Sequence, residues 1–282
     1  DQNLFNPKSR GFAKISPTGR SRYGDSKSPF EGGYIISSVK IISTSGGKTV
    51  ETNVDPIITD TRMQIMLKKA LQAKGDVVKV KIDYAYTVPE YGADRTGILK
   101  TAGGNIYAIA QWYPRVCVFD DIQGWNTLPY LGASEFYLEY GDFDVAITAP
   151  ANHIVVASGE LLNPADVLTA EQLKRYNIAK QSDATVAIKS KDEVSDVSSS
   201  PQNLTLTWKY KITSSRDFAW ASSKSFVWDA AKINLPSGKK AMAQSVYPVS
   251  VAGNDAWGRS TEYTKASIEN YSKRWFEFPY PA

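Results

Sequence analysis

Alternation of hydrophobic and polar positions is the dominant pattern in this chain, and it predicts strands. The clearest alternation covers residues 78–86, and a second covers 204–212. One apolar face opposed by one polar face is typical of antiparallel sheets rather than of doubly buried parallel strands. Further strands are predicted at 33–42, 60–71, 108–119, 133–149, 154–157, 186–188, 218–222, 225–235 and 240–247. The fold class is therefore mainly β, with an antiparallel sheet or sandwich.

A change of phase interrupts the strand predicted at 133–149. Up to Tyr140 the apolar side chains occupy even positions, whereas from Phe143 onward they occupy odd positions. Because successive side chains of a strand point to opposite faces, such a change requires a turn or a bulge at Gly141.

One short helix is predicted inside the β region. Thr169 is a good N-cap, and Gln172 lies three residues later, which is the spacing of a capping box. The helix should extend to about Tyr176. In contrast, the segment before Gly33 is rich in turn formers and is predicted to be irregular.

A longer helix is predicted near the end of the sequence, from about Ser260 to Glu277, before Pro279. Its apolar positions recur at spacings of four and three residues, and they are Thr264, Ile268, Tyr271, Trp275 and Phe278. The Gly-rich stretch before it suggests a boundary, which gives a β domain at 1–258 and a second domain that begins at 259–282. We expect the remainder of that second domain to lie beyond the sequence.

Composition and charge narrow the classes of partner. The chain has 282 residues, 42% of them hydrophobic, and a net charge of +4 from 33 basic and 29 acidic residues. This balance predicts no nucleic-acid surface, and the basic residues between Lys8 and Arg22 are interpreted as a solvated loop. No apolar run approaches the roughly 20 residues that a membrane-spanning helix needs.

Candidate chemistry is sparse. A zinc site needs about three protein ligands, yet the chain has one histidine, His153, and one cysteine, Cys117. We interpret His153 as a turn or packing residue and Cys117 as a buried, inert thiol. The carboxylate pairs Asp120–Asp121 and Asp142–Asp144 are interpreted as turn and surface residues rather than as acid–base pairs. The sequence contains no H-E-x-x-H, and no nucleophile elbow or nucleotide-binding loop in its expected context.

Four stretches resemble the amino-terminal β domain of the aminopeptidase N family of zinc metallopeptidases, the gluzincins, and especially its bacterial secreted branch. They are AQWYPRVCVFDD from Ala110, GWNTLPYLG from Gly124, EFYLEYGDFDVAITAPANHIVVASGEL from Glu135 and YSKRWFEFPYP from Tyr271. These stretches cover roughly a third of the chain, and their order and spacing extend the match over most of it.

The resemblance implies a saddle-like β domain that packs on a catalytic domain of the same protein. In that case the zinc, its H-E-x-x-H ligands and the exopeptidase loop lie beyond Ala282, and further strands precede Asp1. This segment would then bind no cofactor and would be inactive alone. Its partners would be its own catalytic domain and a peptide substrate, and the family branch favours an extracytoplasmic location.

One active-site residue is carried over by the resemblance. Gln111 occupies the position of a family glutamine that reaches the pocket for the substrate's first side chain. Tyr113 stands where the family has an acidic residue that helps to bind the substrate's free amino group. This departure leaves ordinary aminopeptidase specificity open.

A stand-alone β-sandwich binding module, for example for glycans, is the alternative. It predicts Trp125, Trp220 and Trp257 as coplanar, exposed platforms on one face. The enzyme-domain hypothesis predicts instead an exposed apolar patch around Ile268, Tyr271 and Trp275.

Overall fold

A computed structural model describes residues 20–21, 24–25, 32–45, 47–90, 95–128, 137–195, 204–253 and 257–281. The chain forms two compact units, each built from two segments. The first unit contains Asp1–Asp94 and Arg115–Tyr137, and the second contains Arg95–Pro114 and Leu138–Ala282. The irregular segment predicted before Gly33 lies almost entirely outside the described residues, as does the start of the strand predicted at 133–149.

Strands make up most of the regular structure in both units. The first unit contains β1 (Arg20–Ser21), β2 (Gly24–Asp25), β3 (Ile35–Ser45), β4 (Lys48–Asn53), β5 (Ile57–Thr59), β6 (Arg62–Gln64), β7 (Lys79–Ala85), β10 (Phe119–Asp120) and β11 (Gly124–Trp125). The second contains β8 (Gly97–Thr101), β9 (Gly104–Ile109), β12 (Gly141–Pro150), β13 (Ile154–Ala157), β14 (Glu160–Leu161), β15 (Val186–Lys189), β16 (Thr205–Ser215), β17 (Trp220–Ser223), β18 (Phe226–Asn234) and β19 (Lys240–Pro248).

Four α-helices are described, all in the second unit: α1 (Pro164–Val167), α2 (Ala170–Ala179), α3 (Lys191–Ser195) and α4 (Ser260–Arg274). The described strand pairs are antiparallel. The predicted fold class is therefore confirmed: the protein is mainly β, with antiparallel sheets, few helices and a helix near the end of the chain. None of the described helices is both long enough and apolar enough to cross a membrane.

The first unit is organised around a three-stranded sheet in the order β4–β3–β7. The alternation at 78–86 corresponds to β7, whose Lys81 Nζ lies 3.5 Å from Glu51 Oε1 of β4; Glu51 Oε2 also pairs with Lys40 Nζ of β3 at 2.9 Å. The strand predicted at 60–71 is wrong over most of its length, because only Arg62–Gln64 is extended and paired. The strand predicted at 108–119 is also wrong from residue 110 to residue 118, since β9 ends at Ile109 and β10 begins at Phe119.

Three sheets build the second unit, in the orders β8–β9–β17–β13, β12–β16–β14 and β15–β18–β19. The alternation of β16 buries Trp208, Tyr210 and Ile212 on one face. They join Phe218 and Trp228 in the main hydrophobic core. The side-chain pattern of 204–212 thus determines which face of β16 lies against the core.

The turn or bulge predicted at Gly141 coincides with the start of β12, since residues 137–140 are not in a strand, and the extra residue of the irregular pairing lies in β16. In the β12–β16 pair, Gly141 pairs with Ser215 but Phe143 pairs with Ile212, so the register shifts between Gly141 and Phe143. On the opposite strand, Ser214 adopts a left-handed conformation with φ of 51°. Asp142 stabilises it, because its Oδ1 accepts a hydrogen bond of 2.8 Å from the Ser214 amide.

The capping box of α2 is present. The Thr169 hydroxyl accepts a hydrogen bond of 3.2 Å from the Gln172 amide, and Gln172 Oε1 accepts one of 3.3 Å from the Thr169 amide. Two helix-terminal N–H groups are satisfied in this way. The helix ends at Ala179, one turn beyond the prediction, and packs on β15 and β18.

Helix α4 packs on β18 and β19 with a largely polar face. Thr261 and Ser272 are buried, and Lys265 Nζ donates to the main-chain oxygen of Lys232 at 2.8 Å and to Asp183 Oδ1 at 2.9 Å. The chain after the helix adds a hydrogen bond of 2.9 Å from the Met242 amide to the Pro281 oxygen.

The division into units does not follow the predicted boundary at residue 258, because α4 belongs to the same compact unit as the strands before it. Part of the predicted boundary, residues 254–256, lies outside the described range. That α4 also begins a further domain stays a prediction.

A buried carboxyl group between β18 and β19 gives a pH-dependent prediction. Burial raises the pKa of Asp229, and the hydrogen bond that it accepts from the Tyr247 hydroxyl acts in the opposite direction. A raised folded-state pKa contributes stability that is full below the unfolded-state pKa of about 3.9 and is lost as the pH rises through the folded-state value. Asp229→Asn should therefore gain stability relative to the unmodified protein as the pH rises above about 4.

Chemical denaturation of both proteins between pH 3 and pH 8 would measure this difference in the free energy of unfolding. Asp144→Asn, at an exposed position of β12, is the control and should show no comparable trend. A difference between Asp229→Asn and the unmodified protein that is constant with pH would contradict the prediction.

Candidate functional site

Gln111 lies just beyond the end of β9 and has a strained backbone. Its φ is 54°, in the left-handed region that costs a residue with a side chain roughly 1–2 kcal/mol. The residue is half-buried, and its side-chain oxygen Oε1 is shielded from solvent. The left-handed turn therefore ends β9 and redirects the chain immediately before the two aromatic residues that follow.

Trp112 and Tyr113 anchor this turn to the segment between β16 and β17. Trp112 Nε1 donates to the main-chain oxygen of Phe218 at 3.0 Å, and the Tyr113 hydroxyl donates to Asp217 Oδ1 at 2.9 Å. The partners are more than 100 residues away in sequence, with separations of 106 and 104. Long-range side-chain bonds thus fix both residues that follow Gln111.

The aromatic side chains around this anchor form a continuous cluster, which we term the aromatic corner and define as Trp112, Tyr113, Phe143, Phe218 and Trp220. Ring centroids are 5.2 Å apart for Trp112–Tyr113, 5.8 Å for Tyr113–Phe143 and 6.5 Å for Trp112–Trp220, all in edge-to-face geometry. Phe143 and Phe218 follow at 6.1 Å. Edge-to-face pairs at these separations are favourable, and they hold the corner against the core of the second unit.

Asp217 is the polar centre of the aromatic corner. Its Oδ1 accepts from the Tyr113 hydroxyl and also from the Phe218 amide at 2.8 Å, and its main-chain oxygen accepts from Ser215 Oγ at 2.8 Å. The sequence analysis did not single out Asp217. A single Asp before Phe218 is not part of any motif with a recognisable spacing, and its partner Tyr113 lies far away in the sequence.

Backbone strain singles out this part of the chain. Among the described residues, non-glycine residues with left-handed φ are Asp60, Lys74, Gln111 and Ser214. Gln111 precedes the first aromatic residue of the corner, and Ser214 precedes Ser215, whose hydroxyl group supports Asp217. Ser214 is held on its other side by the Tyr280 hydroxyl, which donates to its main-chain oxygen at 3.0 Å. Conformations of this kind persist where the surrounding structure enforces them, and they concentrate at functional sites.

His153 and Cys117 do not form a site. His153 lies in a turn, with its amide donating to the Pro150 oxygen at 2.9 Å, and its Nδ1 lies 2.8 Å from Ser222 Oγ. Ser222 is 2% exposed, so a substrate cannot reach this serine. Burial lowers the pKa of His153. Cys117 is half-buried and lies outside any strand, so the prediction of a buried strand cysteine is wrong.

The carboxylate pairs fit structural roles. Asp120 Oδ1 accepts from the amides of Ile122 and Gln123 at 3.0 and 2.7 Å, which closes the β10–β11 turn. Asp142 holds Ser214, as described above. Across the part of the chain that the structure describes, no group of three or more His, Cys, Asp or Glu side chains is placed to hold a metal ion.

A stripe of exposed aromatic side chains ends α4. We term Tyr271, Trp275 and Phe276 the aromatic stripe; their exposed fractions are 61%, 77% and 90%. Ile268, on the adjoining part of the helix, is half-buried against Ile233 and its neighbours. The helix therefore meets its own unit through Ile268 and polar residues, whereas Tyr271 and the two aromatic residues just after the helix are exposed.

The three tryptophans of the binding-module alternative do not share one environment. Trp220 is half-buried in the aromatic corner, with its Nε1 shielded from solvent. Trp125 and Trp257 are exposed, but they belong to different compact units. The structure thus brings Gln111 and Tyr113 together in one turn, and it removes Trp220 from the exposed platforms that the alternative needs.

The chain matches no protein-family model, and it has no significant match to a curated protein sequence.

Proposed function

We propose that this chain is the non-catalytic, substrate-proximal β domain of a zinc metallopeptidase that resembles aminopeptidase N and removes N-terminal residues from peptides. The four stretches quoted above support the proposal, and the mainly β fold agrees with what the resemblance implies. The observation that carries it is the aromatic stripe, which spans the last turn of α4 and the two residues after it.

The aromatic stripe argues for a covering partner. Large aromatic side chains contribute about 1.5–3 kcal/mol each when they pass from water into an apolar contact, so three exposed ones between Tyr271 and Phe276 are a substantial driving force for association. Thr261, Lys265 and Ser272 of α4 are already used in contacts within its own unit. A catalytic domain of the same protein is the partner that the resemblance supplies.

Gln111 and Tyr113 are the residues that we assign to substrate binding. The strained turn at Gln111 holds both of them at the aromatic corner, where the side chain of the residue to be removed would pack. An amide and a phenol can orient a peptide through hydrogen bonds without taking part in bond cleavage. Selectivity, rather than catalysis, is the expected contribution of this domain.

Zinc in such an enzyme activates a water molecule and polarises the scissile carbonyl group. The described residues contain no ligand group that fits it. In this proposal the residues of this chain bind and orient the peptide.

A glycan-binding module is the second candidate. The observation in its favour is the exposed edge-to-face pair of Phe119 and Trp125 on the β10–β11 hairpin, with centroids 5.1 Å apart. Trp125→Ala should abolish retention on immobilised polysaccharides if this function is correct. Under the peptidase proposal, the unmodified chain is not retained at all.

The peptidase proposal is tested by comparing this chain with the longer gene product that contains it. Aminoacyl p-nitroanilides should be hydrolysed by the longer product alone, with loss of activity on chelation and recovery on addition of zinc. Hydrolysis by residues 1–282 alone would contradict the proposal, as would a longer product that lacks H-E-x-x-H or stays inactive with zinc.

The aromatic stripe has its own test. When the remaining part of the protein is expressed separately, it should bind residues 1–282, and Trp275→Ala with Phe276→Ala should weaken that binding by about 100-fold or more. Trp125→Ala, an exposed tryptophan of the first unit, is the matched control. Equal affinity of all three proteins would show that the aromatic stripe is not the docking surface.

A further inference from the structure

We infer that Asp217 is a positioning residue that sets the side-chain selectivity of this site by holding Tyr113, and through it the left-handed turn at Gln111. The inference rests on the proposed function. It assigns a role to a residue that neither the sequence pattern nor the resemblance singles out.

One side-chain oxygen atom of Asp217 accepts hydrogen bonds from two donors. Asp217 Oδ1 receives the Tyr113 hydroxyl at 2.9 Å and the Phe218 amide at 2.8 Å. Hydrogen bonds to a carboxylate are shorter and stronger than those between neutral groups. The Phe218 bond fixes the carboxylate to its own backbone, so the Tyr113 bond ties one segment of the second unit to another.

The orientation of Asp217 is itself supported from behind. Ser215 Oγ donates to the main-chain oxygen of Asp217, and Ser215 is buried at the end of β16, where it pairs with Gly141 of β12. The preceding residue, Ser214, is held from two sides by Asp142 and Tyr280. A rigid support of this kind makes Asp217 a fixed point rather than a mobile surface carboxylate.

Because the backbone of Gln111 is strained, its conformation depends on the contact that Asp217 holds in place. A left-handed glutamine relaxes towards an ordinary conformation unless its neighbours prevent it. Two anchors oppose relaxation: the Trp112 bond to the Phe218 oxygen and the Tyr113 bond to Asp217. Loss of the second anchor releases the Tyr113 ring from its edge contacts with Trp112 and Phe143, and the Gln111 side chain moves with the turn.

Asp217→Asn and Asp217→Ala should have different effects. The comparison shows whether Asp217 acts through its hydrogen bonds or through its charge. The Asn side chain keeps an oxygen that can accept from both donors, whereas Ala removes the acceptor. Asp217→Asn should therefore retain the arrangement, Asp217→Ala should lose it, and Tyr113→Phe, which removes only the hydroxyl group, should reproduce the Ala variant.

The test uses the intact zinc-loaded protein and p-nitroanilides of alanine, leucine and phenylalanine. Asp217→Ala and Tyr113→Phe should each change the ratio of kcat/KM between the phenylalanine and alanine substrates by about tenfold or more, mainly through KM. The double variant should show no further change, because both substitutions break the same contact. Asp217→Asn should stay close to the unmodified ratio, and Asp144→Ala, an exposed carboxylate on β12, should leave it unchanged.

Hydrogen exchange of residues 107–114 in residues 1–282 provides a readout that needs no activity. Exchange should rise in Asp217→Ala and in Tyr113→Phe but not in Asp217→Asn. Unchanged exchange in folded Asp217→Ala overturns the inference, as does increased exchange with an unchanged substrate ratio in an active enzyme. If Asp217→Ala does not fold, Tyr113→Phe decides the question by the same two measurements. If the intact protein has no peptidase activity, both the proposed function and this inference are wrong.

Discussion

Gly159→Ala is expected to destabilise the second unit by about 2–5 kcal/mol, the sum of a left-handed backbone penalty and a steric clash. Gly159 joins β13 to β14 and has a φ of 85°. A Cβ atom at this position would lie 2.3 Å from the Lys211 main-chain oxygen and 2.7 Å from Ile212 Cβ. Lys211 lies in β16, which pairs with β12 on one side and β14 on the other, so the obstructing backbone cannot move without breaking sheet pairing.

Gly238→Ala is the matched control for this substitution. Gly238 has the same φ of 85°, but no atom lies within 4 Å of a Cβ placed there. It should therefore carry only the backbone penalty of about 1–2 kcal/mol. Urea unfolding followed by tryptophan fluorescence would measure both variants, and equal losses of stability would show that the clash at Gly159 is relieved.

Phe218→Ala is expected to cost about 3–5 kcal/mol, which is typical of a fully buried phenylalanine. Phe218 is 0% exposed and packs against Phe143 and Tyr210 in the main core. Its main-chain groups, which serve Trp112 and Asp217, would be kept. The cavity would therefore lie directly beneath the aromatic corner and should loosen Tyr113 as well as lower stability.

Phe119→Ala tests whether burial, rather than residue type, sets this cost. Phe119 is 63% exposed in the β10–β11 hairpin, so its loss should change the free energy of unfolding by about 0.5 kcal/mol. Thermal and urea unfolding of both variants would provide the comparison. A Phe218→Ala protein as stable as Phe119→Ala would mean that the core closes around the missing ring.

Local sequence patterns predicted the fold correctly where the pattern is compatible with a single backbone conformation. Strict alternation in 78–86 and 204–212 places one face against apolar neighbours, and β7 and β16 result. The capping box at Thr169 is equally local, and it is confirmed. Each depends on a side-chain direction or a hydrogen bond within a few residues.

Apolar runs without alternation misled the prediction. The run at 108–119 was predicted as one strand, yet Val116 and Phe119 are exposed and the chain beyond Ile109 is irregular up to β10. Strand β4 was not predicted, because its residues are mostly polar and all of them are exposed. Pairing with β3, a tertiary contact, decides its conformation.

The candidate site likewise combines features that depend on neighbouring residues with features that depend on residues far away in the sequence. Gln111 and Tyr113 were proposed as site residues through the resemblance, and their role in binding stays a prediction. The left-handed turn at Gln111 has no sequence signal of its own. Asp217 could not be found, because its role depends on a contact across 104 residues. On α4, the prediction of an exposed patch agrees with Tyr271 and Trp275, whereas Ile268 is half-buried.

The two compact units are interleaved along the chain, which crosses from one to the other after Asp94, after Pro114 and after Tyr137. No single cleavage of the polypeptide can leave both units whole. Neither unit can be produced by trimming one end, and exchanging one of them with that of another protein would need splice joints at all three crossings.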